Sequence, residues 1–192
     1  MDCLALYKQR IAESIEAKTA LLQDEQTLAL AVRMAEAVVT ALAAGGKVMF
    51  AGNGGSFADS IHLAAEFVSR FTMEREPLAS IALGANNSIL TAIGNDYSFE
   101  KVFVRELKAL GKAGDVFIAL TTSGNSPNIL PAVEAAQAMG ISVYGLTGGS
   151  GGLLAAKCPC VVIPSPVTAR IQEAHITLGH ILCEFVERKL FA

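Results

Sequence analysis

The chain has 192 residues, of which 52% are hydrophobic and 17% are charged, and its formal net charge is -3. This length suits one domain and is ample for a hydrophobic core. No run approaches the roughly 18 uninterrupted apolar residues that a membrane span requires, and the slightly acidic balance gives no electrostatic footprint for DNA or RNA. We therefore expect a single domain, residues 1–192, with no nucleic-acid or membrane partner. The apolar surplus indicates burial between subunits.

The N-terminal residues and the cysteines bear on the compartment. Charged residues interrupt the segment where a signal peptide would be apolar, namely Asp2, Lys8, Arg10, Glu13 and Glu16. We therefore expect a cytoplasmic protein. The cysteines are few and irregularly spaced, at Cys3, Cys158, Cys160 and Cys183. In a reducing compartment we expect them to be buried thiols with a structural role.

The first 45 residues predict two helices. Apolar residues recur there at alternating spacings of three and four, as on one face of a helix. The first series is Leu4, Tyr7, Ile11 and Ile15, and the second is Leu28, Val32, Ala35, Val39 and Leu42. Gly45 and Gly46 end the second helix. We expect residues 1–45 to form a helical extension that packs at a subunit interface.

The rest of the chain alternates short β-rich runs with helical segments. Strands are predicted at 47–51, 79–83, 116–120, 143–146 and 161–163. Helices are predicted at 56–70, 87–94, 99–110, 127–139, 152–156 and 168–190. Such alternation predicts a three-layer αβα sandwich with a five-stranded parallel sheet covered on both faces.

The first strand leads into a loop suited to an anion. In open α/β sheets, ligands gather at the carboxyl ends of the strands. The segment 52–56 follows the first predicted strand with small residues, and Ser56 is predicted as the N-cap of the next helix with Asp59 as its capping-box partner. Free N–H groups and the helix dipole would point at one spot, which predicts a phosphate site.

Two further junctions have similar character. After the third predicted strand, four hydroxyls precede Pro127, which we expect at the first helical position with Ser126 as N-cap; they belong to Thr121, Thr122, Ser123 and Ser126. The segment 147–152 is glycine-rich and is either another anion loop or a flexible turn. No G-x-G-x-x-G or Walker A pattern is present, so dinucleotide and nucleoside triphosphate sites lose their main support.

The helix after the first loop carries His62 and Glu66. Their i, i+4 spacing puts both side chains on one face, where they could approach one ion or one substrate atom. Asp59 and Arg70 extend this stripe. A solvated polar face is the alternative explanation, which the position beside the phosphate loop disfavours.

The C-terminal helix has one apolar and one polar stripe. His175 lies beside the apolar stripe, so we expect it to be packed and hydrogen bonded, whereas His180 lies on the polar stripe and is either available for a site or solvated. Gln172 precedes His180 by eight residues, roughly 12 Å along a helix. The two could share one metal ion only if their side chains lean toward each other.

Taken together, these motifs resemble the phosphoheptose isomerases of the sugar isomerase (SIS) domain superfamily. The matching segments are Asn53-Gly54-Gly55-Ser56, His62 with Glu66, Arg70, Gly94-Asn95-Asp96, Thr122-Ser123-Gly124-Asn125-Ser126, and Arg170-Ile171-Gln172-Glu173 with His175 and His180. The resemblance implies a flavodoxin-like SIS fold and a homotetramer whose sites draw on more than one subunit. It also implies isomerisation of sedoheptulose 7-phosphate to D-glycero-D-manno-heptose 7-phosphate, the first step of ADP- or GDP-heptose biosynthesis.

The resemblance also implies roles for single residues. One zinc ion per subunit is implied, with the ligands His62, Glu66, Gln172 and His180. Glu66 and His180 are implied as the acid and base pair. The implied substrate-binding residues are Asn53, Gly54, Gly55, Ser56, Glu66, Arg70, Asn95, Asp96, Thr121, Thr122, Ser123, Ser126 and Gln172.

The chain departs from the family pattern at four positions. Phe57 replaces a small residue and Ile61 a common glutamine, which predicts a more apolar mouth to the site; Thr121 replaces a frequent serine but keeps the hydroxyl. Ala169 replaces an aspartate of some members, so no role of that carboxylate is transferred. The alternative function is that of a related branch of non-catalytic proteins that bind sugar phosphates or the initiator DnaA. Retention of the four implied zinc ligands favours the enzyme.

Overall fold

The structure, a computed structural model, describes residues 2–192. Its helices are α1 (Cys3–Gln23), α2 (Glu25–Ala43), α3 (Gly55–Val68), α4 (Asn87–Asp96), α5 (Val102–Leu110), α6 (Ile129–Ala138), α7 (Gly152–Ala155) and α8 (Thr168–Phe191), with a 3-10 turn at Phe99–Lys101. Its strands are β1 (Val48–Ala51), β2 (Ser80–Ala82), β3 (Val116–Leu120), β4 (Ser142–Gly148) and β5 (Cys160–Ile163). Every predicted strand and helix is present, with ends shifted by a few residues.

The five strands form one parallel sheet in the order β2-β1-β3-β4-β5. Alternate residues point to opposite faces. On one face, side chains such as Phe50 and Ile118 pack with α2, α3 and α8. On the other, side chains such as Met49 and Phe117 pack with α5 and α6. The predicted three-layer sandwich is therefore confirmed.

The strand order reverses between β1 and β3. In a flavodoxin-like 2-1-3-4-5 sheet, the loops after these two strands diverge to opposite faces and leave a crevice at their carboxyl ends. The segments 52–56 and 121–126 are these two loops. The fold thus brings together the two loops that the sequence predicts to bind phosphate.

Helix α1 packs against α8 and α2 but turns an apolar stripe outward. The stripe consists of Leu4, Tyr7, Ile11, Ile15 and Leu22, which are 59–72% exposed. The periodicity that predicts this helix therefore marks a surface that the single chain leaves uncovered.

Helix α2 is, within residues 2–192, the one helix long and apolar enough to cross a membrane by length and composition. Its buried residues Met34, Ala35, Val38 and Ala41 belong to the core, and the helix packs against α8 and the sheet. The apolar composition of α2 is therefore explained by its place in the core of the domain.

The expectation of buried cysteines is wrong for Cys3. Cys158 and Cys183 are buried and Cys160 is partly buried, whereas Cys3 is exposed. Cys3 lies in the first turn of α1, and this helix buries side chains only further along, at Ala17 and Leu21.

Candidate functional site

The loops after β1 and β3 are tied together by an amide pair. Asn53 lies in the first loop and the fully buried Asn128 follows the second. Each amide nitrogen donates to the other amide oxygen, at 2.8 and 2.9 Å. Asn128 was not among the predicted site residues. A sequence signal for Asn128 does exist. It is an amide side chain immediately before a helix, and the strand before it is the neighbour of the strand that precedes Asn53.

The predicted capping of α3 is wrong. The N-cap is Gly54, with φ +56°, and no side chain caps this helix. Glycine adopts that φ without steric cost, so the helix begins before Ser56, which is buried inside its first turn. Asp59, the expected capping partner of Ser56, instead faces Gln172.

The predicted start of α6 at Pro127 is also wrong, because the helix begins at Ile129 and no side chain caps it. The N–H groups of Ile129 and Leu130 both donate to the Ser126 carbonyl. Pro131 has no N–H to donate to the Pro127 carbonyl, so the regular helical bonding pattern is interrupted there.

The four hydroxyls of the second loop fall into two pairs. Thr121 Oγ1 and Ser126 Oγ hydrogen bond to each other at 2.8 Å. Thr122 and Ser123 instead line a cleft of about 270 Å³ beside the glycine-rich loop after β4, together with Gly148, Gly149, Ser150, Ser165, Pro166, Thr168 and Ile171. The cleft is polar and large enough for a phosphate group.

The glycine-rich loop packs directly on the hydroxyl loop. Gly124 has φ +68°, and a Cβ on it would lie 2.0 Å from the Gly151 carbonyl oxygen. The Leu154 N–H donates to the Gly124 carbonyl at 2.9 Å. The two loops therefore form adjacent walls of one cleft, which favours an anion loop over a flexible turn for residues 147–152.

The two helices α3 and α8 bring three of the four implied zinc ligands together. His62 Nε2 lies 2.9 Å from His180 Nε2 and 3.3 Å from Glu66 Oε1. The helices run side by side in the same direction, and they approach closely at Gly179, where a Cβ would lie 2.6 Å from Leu63 Cδ2. The predicted proximity of His62, Glu66 and His180 is thus present.

Gln172 contacts α3 one to two turns earlier. Its Nε2 donates to Asp59 Oδ1 at 2.9 Å. Burial raises the pKa of Asp59, while the bond from Gln172 and the nearby His62 and His180 act in the opposite direction. The other oxygen, Oδ2, is buried without a hydrogen-bond partner. Asp59 is therefore a site residue that sequence reasoning placed on the right stripe but gave a capping role.

The donor atoms suit a metal ion chemically, although their arrangement is incomplete. Imidazole nitrogen and carboxylate oxygen are common zinc ligands, and two ligands of a tetrahedral zinc ion lie about 3.3 Å apart. The atoms around His62 Nε2 are close to that spacing. However, no three His, Cys, Asp or Glu side chains among residues 2–192 form a ready metal site. Small side-chain movements would be needed to hold an ion.

Three other predicted site residues are held by contacts with neighbours in the sequence. Arg70 is exposed and lies 3.5 Å from Glu74. Asn95 Nδ2 donates to Asp96 Oδ1 at 2.9 Å, and both residues are exposed at the end of α4, which packs against α5 and the 3-10 turn.

His175 is packed and hydrogen bonded, as predicted. It is fully buried, and its Nε2 lies 3.1 Å from the Thr147 carbonyl oxygen. Burial lowers the pKa of His175 to about 4. Its ring is therefore neutral at neutral pH, and Nε2 carries the hydrogen that the carbonyl accepts.

The five-stranded parallel sheet, in the order β2-β1-β3-β4-β5, is that of a sugar isomerase domain. Residues 9–148 match the family described as the SIS domain. The phosphoheptose isomerase of Burkholderia pseudomallei (strain 1710b) is 50% identical over 189 residues, which cover 98% of this chain and 96% of the relative. That of Aneurinibacillus thermoaerophilus is 49% identical over 185 residues, covering 96% and 93%.

Two solved structures have the same fold. The phosphoheptose isomerase from Neisseria gonorrhoeae matches with a TM-score of 0.90 and 41% identity, covering 96% of this chain and 98% of that chain. The one from Francisella tularensis matches with a TM-score of 0.91 and 37% identity, covering 98% and 100%. The chain belongs to the phosphoheptose isomerase family of SIS-domain proteins.

Proposed function

We propose that this chain isomerises sedoheptulose 7-phosphate to D-glycero-D-manno-heptose 7-phosphate, the first step of ADP- or GDP-heptose biosynthesis. The observation that carries the proposal is the convergence of His62, Glu66 and His180 on α3 and α8, with α3 beginning at the first of the two predicted phosphate loops. The relatives at about 50% identity are named as phosphoheptose isomerases, which supports the same activity.

The reaction moves one proton between neighbouring carbons. Glu66 removes a proton from C1 of the ketose, a cis-enediol forms, and the proton returns to C2 to give the aldose. His180 carries the proton between the two oxygens, from the C1 hydroxyl to the former C2 carbonyl. Its Nε2 faces His62, so one of the two facing nitrogens bears the hydrogen and the other accepts it.

The substrate phosphate is placed in the cleft beside the hydroxyl loop. Thr122 and Ser123 line it with hydroxyls, and neighbouring backbone N–H groups complete a neutral cradle that binds a dianion without a lysine. This placement leaves the sugar carbons to reach across the sheet edge toward α3 and α8.

We propose one zinc ion per subunit, held by His62, Glu66, Gln172 and His180, with Glu66 shifting away from the ion during turnover because a coordinated carboxylate is a weaker base. When bound, such an ion would supply Lewis-acid stabilisation of the negative charge that develops on the substrate. Gln172 would bind the ion through its amide oxygen, while its amide nitrogen donates to Asp59. Asp59 Oδ2 is buried and has no hydrogen-bond partner in the single chain, so this part of the site can accept a further polar contact.

We also propose a cytoplasmic homotetramer. The outward apolar stripe of α1 supports burial against another copy. A second apolar cleft of about 260 Å³ lies between α2 and α8, lined by residues such as Val32, Ile181 and Phe185. In such an assembly the site could draw on more than one subunit.

The test is turnover of sedoheptulose 7-phosphate by the purified protein, followed by formation of the aldose, with metal content measured on the same sample. We expect turnover, and we expect unphosphorylated sedoheptulose to be a very poor substrate. Tight binding of the sugar phosphate without turnover and without metal would instead indicate a non-catalytic sugar-phosphate sensor.

A further inference from the structure

The segment between α3 and β2 is held by a buried carboxylate on α8. Glu187 Oε1 accepts from the Phe71 N–H at 2.7 Å, and Oε2 accepts from the N–H groups of Thr72 and Met73 at 2.8 and 3.1 Å. The Thr72 hydroxyl adds a bond of 3.0 Å. Glu187 is 1% exposed. A carboxylate with this many donors is fixed in position, and it fixes the backbone that surrounds it.

Arg75 links the same carboxylate to the end of α3. Its Nε donates to Glu187 Oε1 at 2.9 Å, and both side chains are 1% exposed. Its two terminal nitrogens donate to the carbonyls of Glu66 and Phe67, each at 2.8 Å. These carbonyls lie in the last turn of α3, where helical partners are missing. Arg75 therefore joins the turn that bears Glu66 to α8.

The segment held in this way carries a ring that stacks on His180. The Phe71 and His180 rings have centroids 5.4 Å apart and planes inclined by 24°. Glu187 follows His180 by seven residues, which places both on one face of α8, about 10 Å apart. One helix face thus presents His180 to the Phe71 ring and Glu187 to the Phe71 backbone.

We infer that Glu187 is a positioning residue for the isomerisation: through Phe71 it holds the His180 ring, and through Arg75 it holds the turn that carries Glu66. This inference rests on the proposed roles of His180 and Glu66. Glu187 itself touches neither group. It acts because a reacting group displaced by about 1 Å can lose about 10²-fold in rate.

The first variant is Glu187→Gln, which keeps the shape but replaces one oxygen by a donor. Whichever oxygen the NH₂ group replaces, it faces backbone N–H groups from which it cannot accept, so hydrogen bonds to the 71–73 backbone are lost. The matched control is Asp115→Asn. Asp115 is fully buried, accepts from the N–H groups of Lys47 and Lys112, and pairs with the Lys47 ammonium, so its side-chain bonds join the segments before β1 and β3 and do not involve residues 71–75.

The second variant is Phe71→Leu, which keeps the backbone N–H that Glu187 holds and removes only the stacked ring. Phe71→Tyr retains a ring and is the conservative rescue. These two variants keep the inference testable if Glu187→Gln fails to fold.

The two readouts are steady-state kinetics and NMR of histidine-labelled protein. The chain has three histidines, so the ring signals of His180 are assignable by substitution. The stacked ring shifts these signals, and this shift does not depend on turnover. If the parent does not isomerise the substrate, the proposed function fails, while the NMR comparison still tests the positioning.

We expect Glu187→Gln to move the His180 signals toward their positions in Phe71→Leu and to lower kcat by about 10- to 100-fold. We expect Phe71→Leu to lower kcat about tenfold with KM within about threefold, since only a reacting group is displaced. Phe71→Tyr and Asp115→Asn should keep parent values of both readouts. Unchanged His180 signals in Glu187→Gln, or kcat of both variants within about twofold of Asp115→Asn, would overturn the inference.

Discussion

Asn53 and Asn128 exchange two hydrogen bonds across the point where the strand order reverses, at 2.8 and 2.9 Å. Asn128 is fully buried, whereas Asn53 is partly exposed at the mouth of the crevice. The pair fixes the distance between the two loops that are proposed to hold the substrate, so it connects the packing of the sheet to the geometry of the site.

The first prediction concerns this pair. Asn128→Ala leaves the Asn53 amide without its partner and should lower the free energy of unfolding by about 1–3 kcal/mol, with a raised KM for the sugar phosphate. Urea unfolding and steady-state kinetics measure the two effects. Gln137→Ala is the control, because the exposed Gln137 amide makes one bond to the Lys157 carbonyl, away from the loops. Equal effects of the two substitutions would contradict the prediction.

The second prediction concerns the proposed base. Glu66→Gln should lower kcat by about 10² or more while the protein stays folded, because the amide cannot accept the substrate proton. Circular dichroism and a turnover assay are the measurements. Glu184→Gln serves as control, since Glu184 pairs with Arg188 on the outer part of α8. Near-normal turnover of Glu66→Gln would remove Glu66 from this role.

The strands and the His62 group could be predicted because each depends on local pattern. Strands β1 and β3 are short apolar runs buried on both faces, and such runs are typical of the strands of a covered parallel sheet. His62 and Glu66 share a helix face by spacing alone. The partner His180 could be placed beside them through the family resemblance, although it lies 118 residues from His62 in the chain.

The remaining features depend on contacts that no local pattern encodes. Glu187 lies near the end of α8 among charged residues and looks solvated in the sequence, yet it binds a segment more than 110 residues away. The start of α3 depends on the positive φ of Gly54. The bond between Gln172 and Asp59 depends on how closely two helices pack. Such details follow from tertiary packing.

The third prediction concerns the phosphate. Ser123→Ala combined with Ser126→Ala should weaken substrate binding by roughly 1–3 kcal/mol, since charge-assisted hydrogen bonds have about that value. Metal content should not change. Calorimetric titration with the sugar phosphate measures the loss, and Ser88→Ala in the exposed first turn of α4 is the control. Parent-like affinity of the double variant would show that the Ser123 and Ser126 hydroxyls do not hold the phosphate, and the loop 147–152 would be the next wall of the cleft to test.

The fourth prediction concerns stability in acid. Burial acts to raise the pKa of Glu187, but the bonds from the Phe71, Thr72 and Met73 segment outweigh it and lower this pKa to about 2. An unfolded glutamate titrates near pH 4.3. The stabilisation is therefore complete above about pH 5 and is lost as the pH falls toward 2, a loss of about 2–4 kcal/mol.

Glu187→Gln should remove this dependence. Denaturant unfolding at pH 6, 4 and 3 should give a free energy of unfolding that falls less for the variant than for the parent, by about 1–3 kcal/mol over this range. Asp2→Asn is the control, because Asp2 is exposed at the start of α1. If the parent and Glu187→Gln lost stability in parallel, the carboxylate would not be the group responsible.

The last prediction concerns assembly. Tyr7 and Ile11 are 70% and 59% exposed on the outward stripe of α1, and burying such side chains against another copy is worth about 1.5–3 kcal/mol each. Replacing both by glutamate should therefore reduce the assembly to smaller species at micromolar concentration, measured by light scattering, while circular dichroism stays unchanged. Lys8→Glu with Glu16→Lys, which keeps the net charge and leaves the apolar stripe intact, is the matched control. A parent that is a stable monomer would rule out the tetramer, whereas a double variant that assembles like the parent would show that the contact uses another surface, with the cleft between α2 and α8 as the next one to test.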